Sequence, residues 1–343
     1  MSTELAPTVA DDSTLPRFAV PSEVRQWGAR VHVAQRNAPR VALMLSETVV
    51  LYAAFVAFGE ALNSWYGWVV AWIGLAMCMM RIDAVHHEAV HRSLFVRRWA
   101  NDVVAGLSGA IEGLHGPTYR CFHLTHHALT RQDHDVSDPE AFYDEVLTRP
   151  FTLGHVRVRA RAVYITGLVI GGVSFAVQLI TGTVMTFLGR PPAYVGAASL
   201  GRHVRRWGAL PFVLWGSVTA AAVLSGHAGE LVKWWVVPML VFLCGPYMFF
   251  ALPEHYAAPH NRPMMTSTGS VRTTGLYRWI TLDGNFHLAH HIFPNASWWR
   301  LADADAQLRN SSTLRYPGYI SFHRDVWREL GPSSASGSGA RAR

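Results

Sequence analysis

Charge is scarce in this chain, and lysine is scarcer. Only 15% of its 343 residues are charged, against about 25% in a typical soluble domain. Lys233 is the one lysine among 30 basic residues. Half of the chain is apolar, and the apolar residues are gathered into long runs. Such a chain is not an ordinary soluble domain; it reads as a membrane protein. The formal charge of +7 forms no single basic block. Arginines flank the apolar runs instead, which fits orientation in a bilayer and not nucleic-acid binding.

Cysteine is also scarce. Cys78, Cys121 and Cys244 are the three present. They form no C-x-x-C pair, so neither a disulfide framework nor a thiolate metal site is expected. Cys78 and Cys244 lie inside apolar runs, where a thiol acts as a small hydrophobe. Cys121, two residues before His123, is not expected to be a ligand. The first 40 residues lack the basic-then-apolar pattern of a signal peptide, and read as a loose cytoplasmic tail followed by a surface helix. The Ser/Gly/Ala-rich residues 331–343 read as a disordered tail.

What remains between the tails is built around spans. Residues 41–62 and 65–82 form a hairpin whose turn, Asn63-Ser64, carries no Lys or Arg. Each run is about the 20 residues that a bilayer crossing needs. Arg40 lies at one far end, and Arg81, Arg92, Arg97 and Arg98 at the other, which places both ends in the cytoplasm. Three more apolar runs follow: 162–189, 209–226 and 234–251. The last two form a second hairpin with a short, nearly neutral loop. The first has arginines at both ends (Arg157, Arg159 and Arg161, then Arg190, Arg202, Arg205 and Arg206). It also carries five glycines, Gly167, Gly171, Gly172, Gly182 and Gly189, which would permit a break. The fold class expected is therefore all-α integral membrane. Four transmembrane helices (41–62, 65–82, 209–226, 234–251) carry a helical cytoplasmic cap, with 162–189 interfacial or re-entrant.

Histidine is what this chain has in excess, and its placement is not random. H-x-x-H-H occurs at His123-Leu124-Thr125-His126-His127 and again at His287-Leu288-Ala289-His290-His291. His87 and His91 precede both at i, i+4 spacing. On a helix, positions i, i+3 and i+4 share a face, so each cluster would converge. His86 lies about 100° round from His87 and is the alternative first-cluster ligand if the helix is distorted. Eight clustered imidazoles would repel one another if protonated and would be costly near the apolar edge of a bilayer. Binding a cation resolves both problems. So many imidazoles exceed the needs of one zinc, and two irons with open positions for oxygen fit the number best. A shared centre also requires the second and third clusters to lie on the same side of the membrane. That is why one of the three intervening runs is expected not to cross.

The text around these clusters resembles the membrane fatty acid desaturase family. His87-Glu88-Ala89-Val90-His91-Arg92-Ser93-Leu94-Phe95 looks like that family's first histidine box. Asn285-Phe286-His287-Leu288-Ala289-His290-His291-Ile292-Phe293-Pro294 looks like its third. Arg272-Thr273-Thr274 and Glu254-His255-Tyr256 are similar to neighbouring family text. The resemblance covers roughly residues 40–330. It implies a non-haem di-iron centre held by His87, His91, His123, His126, His127, His255, His287, His290 and His291, with His255 as the ninth ligand. Some members carry an Asn one turn before that ninth histidine, where this chain has Ala251. Carboxylates usually orient such imidazoles, and Glu88, Asp138, Glu254 and Asp283 are the candidates.

The chemistry so implied is O2-dependent desaturation of a fatty-acyl or acyl-like chain, the substrate free or carrier-bound and entering from the membrane side. A hydroxylase, ketolase, epoxidase or acetylenase of the same superfamily is the alternative. A histidine-based metal transporter is disfavoured, because its ligands would lie within the spans. No His-Pro-Gly-Gly of a fused cytochrome b5 module and no Fe–S cysteine set is present. An external donor is therefore expected, a ferredoxin or a cytochrome b5 with its reductase, docking on the arginine-rich face. Arginine-heavy, lysine-poor usage points to a bacterial plasma membrane.

Overall fold

The computed structural model describes residues 20, 22–31, 36–132, 151–153, 156–158, 160–309 and 314–330. Asp138, with the rest of residues 133–149, and the C-terminal tail 331–343 lie outside the described residues. Helix α1 spans Ser22–Val31, α2 Ala38–Leu62, α3 Trp65–Val90, α4 Arg98–Glu112 and α5 Gly116–Leu129. A short antiparallel pair follows, β1 (Phe151–Leu153) with β2 (Val156–Val158). Then come α6 Ala160–Phe187, α7 Ala198–Trp207, α8 Ala209–Leu224, α9 Ala228–Leu231, α10 Val237–Leu243 and α11 Pro246–Ala251. The chain closes with α12 Met264–Ser267, β3 Ser270–Val271, α13 Gly275–Ile280, α14 His287–Ile292, α15 Leu301–Leu308, β4 Arg315–Tyr316 and α16 Tyr319–Glu329.

The α2–α3 hairpin forms where its punctuation places it. Asn37 caps α2 by accepting from Arg40 N. The helix ends at Asn63, which adopts a left-handed conformation, φ 38°, a region Asn tolerates better than most residues. Ser64 Oγ then caps α3 by accepting from Gly67 N at 3.3 Å. Helix α3 does not stop at 82 as the hydropathy run suggests. It continues to Val90, because polarity alone does not end a helix whose next turn is still buried. That extra length carries Asp83, His86 and His87. Outward residues of the hairpin are large and apolar: Leu43 is 60% exposed, Val49 69% and Ile73 57%. An apolar surface of this extent belongs against lipid.

Among the described residues, five stretches are long and apolar enough to cross a membrane: Ala38–Leu62, Trp65–Val90, Ala160–Phe187, Ala198–Leu224 and Ala228–Glu254. They correspond to the five apolar runs of the sequence, α6 included. The break that the glycines of 162–189 would permit does not occur; α6 is one continuous 28-residue helix. Its glycines serve close approach instead. A Cβ on Gly172 would collide with the backbone carbonyl of Leu243, and one on Gly182 with the Tyr194 hydroxyl. The interruption falls instead in 234–251, expected as one regular span. Val232–Val236 forms a π-helical turn. The helix stops at Cys244, and Gly245 precedes a new start at Pro246. Pro246 has no N–H to continue the ladder. Leu252–Glu254 then tightens into a 3-10 turn that delivers His255.

Beneath the first histidine cluster, α4 packs along α3. Leu114 and Tyr119 join Met79, Val85 and Ala89 in the main core. A second core lies in the C-terminal part, where Val20 and Val24 pack with Met264, Leu288, Leu301 and Leu308. The N-terminal surface helix is thus tied to the third histidine cluster. Parallel pairing of β3 with β4 closes this region, Val271 opposite Tyr316.

Candidate metal centre

Four separate parts of the chain bring their histidines to one place. The end of α3 supplies His87 and His91. Helix α5 supplies His123, His126 and His127. The turn after α11 supplies His255, and α14 supplies His287, His290 and His291. They sort into two groups able to hold one ion each: His87, His91, His123, His127 and His290, and separately His126, His255, His287 and His291. Each H-x-x-H-H box therefore straddles both groups. Its i, i+4 pair joins one, and the middle histidine, about 100° away round the helix, joins the other.

The donor atoms fit a metal. In the first group, His123 Nε2 lies 2.7 Å from His91 Nε2 and 3.0 Å from His127 Nε2, and His290 Nε2 lies 2.9 Å from His127 Nε2. In the second, His255 Nε2 is 3.1 Å from both His126 Nε2 and His287 Nε2, and His291 Nε2 is 2.9 Å from His287 Nε2. Two imidazoles bound cis to one ion at about 2.1 Å are about 3 Å apart. Burial, reinforced by neighbouring rings, holds His123, His127, His287, His290 and His291 well below the usual histidine range. They are therefore neutral at pH 7, with the lone pair a metal needs. His255 donates Nδ1–H to Ser267 O at 3.0 Å, which fixes its tautomer so that the lone pair is on Nε2.

The turn after α3 is held by residues that spacing alone does not reveal. Asn101 Oδ1 accepts from Leu94 N and Phe95 N, and its Nδ2 donates to Phe95 O and Arg97 O. Arg92, at φ 58°, binds both oxygens of Asp102 at 3.0 Å. Tyr119 stacks flat on His123, ring centroids 5.3 Å apart.

The remaining site candidates separate. His86 is apart from both groups; its Nδ1 lies 2.5 Å from Glu112 Oε1, and half-buried Asp83 completes the trio. Regular helix to Val90 turns its ring away from His87's. Glu88 accepts from Ser93 Oγ at 2.7 Å, and Asp283 pairs with Arg278 at 2.6 Å, so neither of these contacts orients a clustered imidazole. Glu254 does meet one, with Oε2 3.3 Å from His287 Nε2. Cys121 is buried against Pro117 O, outside both groups. Glu112 is the acid that sequence reasoning missed. It lies in an apolar stretch with no spacing signal toward His86, 26 residues away.

A cavity of about 790 Å³ opens onto the histidines. Both groups line it, the first through His87, His123 and His290, the second through His126, His255 and His287. Much of the remaining wall is aromatic, with Tyr119, Phe122, Phe175, Phe242, Tyr247 and Tyr277, and Asp83, Glu88, Gln178 and Glu254 also line it. Helix α6 forms one side, contributing Thr166, Ile170 and Ser174.

Apolar helices, a cap that gathers nine histidines and an apolar cavity against them define a membrane metalloenzyme of the histidine-box class. Comparison with known proteins is specific. The sequence model of the fatty acid desaturase family matches residues 63–323, and the chain belongs to that family of metal-dependent oxidoreductases. It is also 24% identical over 322 residues to the sn-1 acyl-lipid omega-3 desaturase (ferredoxin) of Nostoc sp. (strain 36), covering 88% of this chain and 83% of that one.

Proposed function

We propose that this protein desaturates an acyl chain in an O2-dependent reaction at a di-iron centre. The observation that carries the reading is the apolar cavity whose wall holds histidines from both groups. His87, His91, His123, His127 and His290 would hold one iron, and His126, His255, His287 and His291 the other. Bound iron supplies the oxidising power for breaking unactivated C–H bonds. The chain's own residues do the rest. Neutral imidazoles fix the donor geometry, and the aromatic wall excludes water and holds an extended alkyl chain beside the histidines. The ferredoxin named for the Nostoc relative supports a separate electron carrier here, attracted to arginines such as Arg97 and Arg98 on the cap.

The same geometry supports four complete crossings. Because the second and third clusters meet, the chain between them crosses the bilayer an even number of times. Both ends of α6 meet the cap. Arg161 donates to Trp327 O at 3.0 and 2.9 Å. At the other end, Thr183 Oγ1 lies 2.9 Å from His115 Nδ1, just before α5. On this reading α6 lies in the interface, forming the lipid-side wall of the cavity, and α8 with α9–α11 forms the second hairpin. Both termini and the metal centre are then cytoplasmic, in a bacterial plasma membrane.

Mass spectrometry of lipid extracts from a host expressing the chain, with and without His290→Ala, tests the activity. Desaturation lowers a product's mass by about two units and hydroxylation raises it by about sixteen. The expected result is the loss of two, absent in the variant. A gain of sixteen replaces desaturation with the hydroxylase reading.

A further inference from the structure

The two histidine groups are unequal, five against four, and a carboxylate stands beside the smaller one. Glu254 Oε2 is 3.3 Å from His287 Nε2. The nitrogen involved is decisive. Nε2 is the atom through which His287 faces His255 and His291, at 3.1 and 2.9 Å, so it is the atom that points into the group. A carboxylate that merely orients a metal-bound imidazole accepts from the opposite ring nitrogen. His255 shows that outer pattern in this protein, with Nδ1 turned outward to Ser267 O. Glu254 is on the inner side.

We propose that Glu254 is a direct carboxylate ligand of the ion held by His126, His255, His287 and His291, giving that ion a fifth protein donor. The inference rests on the metal-centre reading above and deepens it. Two features of the chain support it. The backbone at Glu254 is anchored: its carbonyl accepts from Gly269 N at 2.7 Å. A Cβ at Gly269 would stand 2.7 Å from Pro253 O, so the glycine permits this approach. The second feature is charge. Nine neutral imidazoles leave the positive charge of two ferrous ions uncompensated in a buried site, which is costly. One carboxylate bound to the ion lowers that cost. Glu254 also lines the cavity, so it marks the side from which substrate approaches the second ion.

The test uses the purified full chain loaded with ⁵⁷Fe, compared with Glu254→Gln and Glu254→Asp. The readouts are Mössbauer spectra and the rate of iron release to a chelator. The expected result for Glu254→Gln is two-phase release. One iron leaves at least about 10-fold faster than in the parent, and the spectrum of that ion alone changes. Glu254→Asp, which keeps the carboxylate, is expected to fall between the two. Retention of both irons at parental rates with an unchanged spectrum overturns the assignment. Faster release with an unchanged spectrum also overturns it, because that is the behaviour of an outer orienting group. Equal loss of both irons overturns it as well, as a general effect on the fold. A parent chain that binds no iron instead defeats the metal-centre reading on which the inference stands.

Discussion

Replacing His127 with alanine is expected to abolish product formation and release one iron, and replacing His126, the next residue, is expected to release the other. Adjacent residues acting on different ions follow from the way each box straddles the two groups. His127 Nε2 lies with His123 and His290, while His126 Nε2 lies with His255. Loss of an outer partner of a metal-bound histidine costs roughly 10- to 100-fold in affinity or activity. Loss of a donor itself should exceed that. Pairing the changes sharpens the expectation. His123→Ala with His127→Ala should release no more iron than either alone, because both act on one ion. His126→Ala with His127→Ala should release both. Mössbauer spectra of the three single and two double variants check this. If every single change empties both positions equally, the five-plus-four division is wrong.

Thr166→Trp is expected to lower turnover by about 100-fold while leaving iron content unchanged. Thr166 is on the cavity face of α6, on the side proposed to face lipid. An indole there reduces the width through which an alkyl chain must pass. Displacing a substrate by only about 1 Å from its reacting position costs about 100-fold. Iron analysis and product formation, measured on the same preparation, separate blocked access from a damaged centre. Unchanged turnover would mean that substrate does not use the α6 side. A loss of iron would mean that α6 supports the centre and not the path to it.

The histidines were legible because helical periodicity is a local property. Spacings of three and four residues place side chains on one face whatever the tertiary context, so both triple boxes and the His87/His91 pair could be found from the text. Their division into two groups was not legible. It depends on how α3, α5 and α14 approach one another, which no local spacing encodes. The pairing of His86 with Glu112 is hidden for the same reason.

The glycines of 162–189 illustrate a different difficulty. Gly172 and Gly182 are residues at which a helix can break. In α6 their missing side chains are used for contact with Leu243 and Tyr194. Sequence shows that a glycine is small and flexible, but not which property is used. The real interruption lay in 234–251, where Gly245-Pro246 was available as a signal inside an otherwise apolar run. Hydropathy masked it, because a kinked span and a straight one have the same composition. Glu254 was legible as an acid next to a histidine. Only the structure shows which nitrogen of His287 it faces.

The most direct test of the central claim is the metal content of the purified chain, expressed with iron available and handled without oxygen. About two irons per chain are expected, falling toward one in His287→Ala and toward one in His126→Ala. One zinc per chain, unchanged in both variants, would contradict the two-ion histidine centre and with it the oxidative function proposed here.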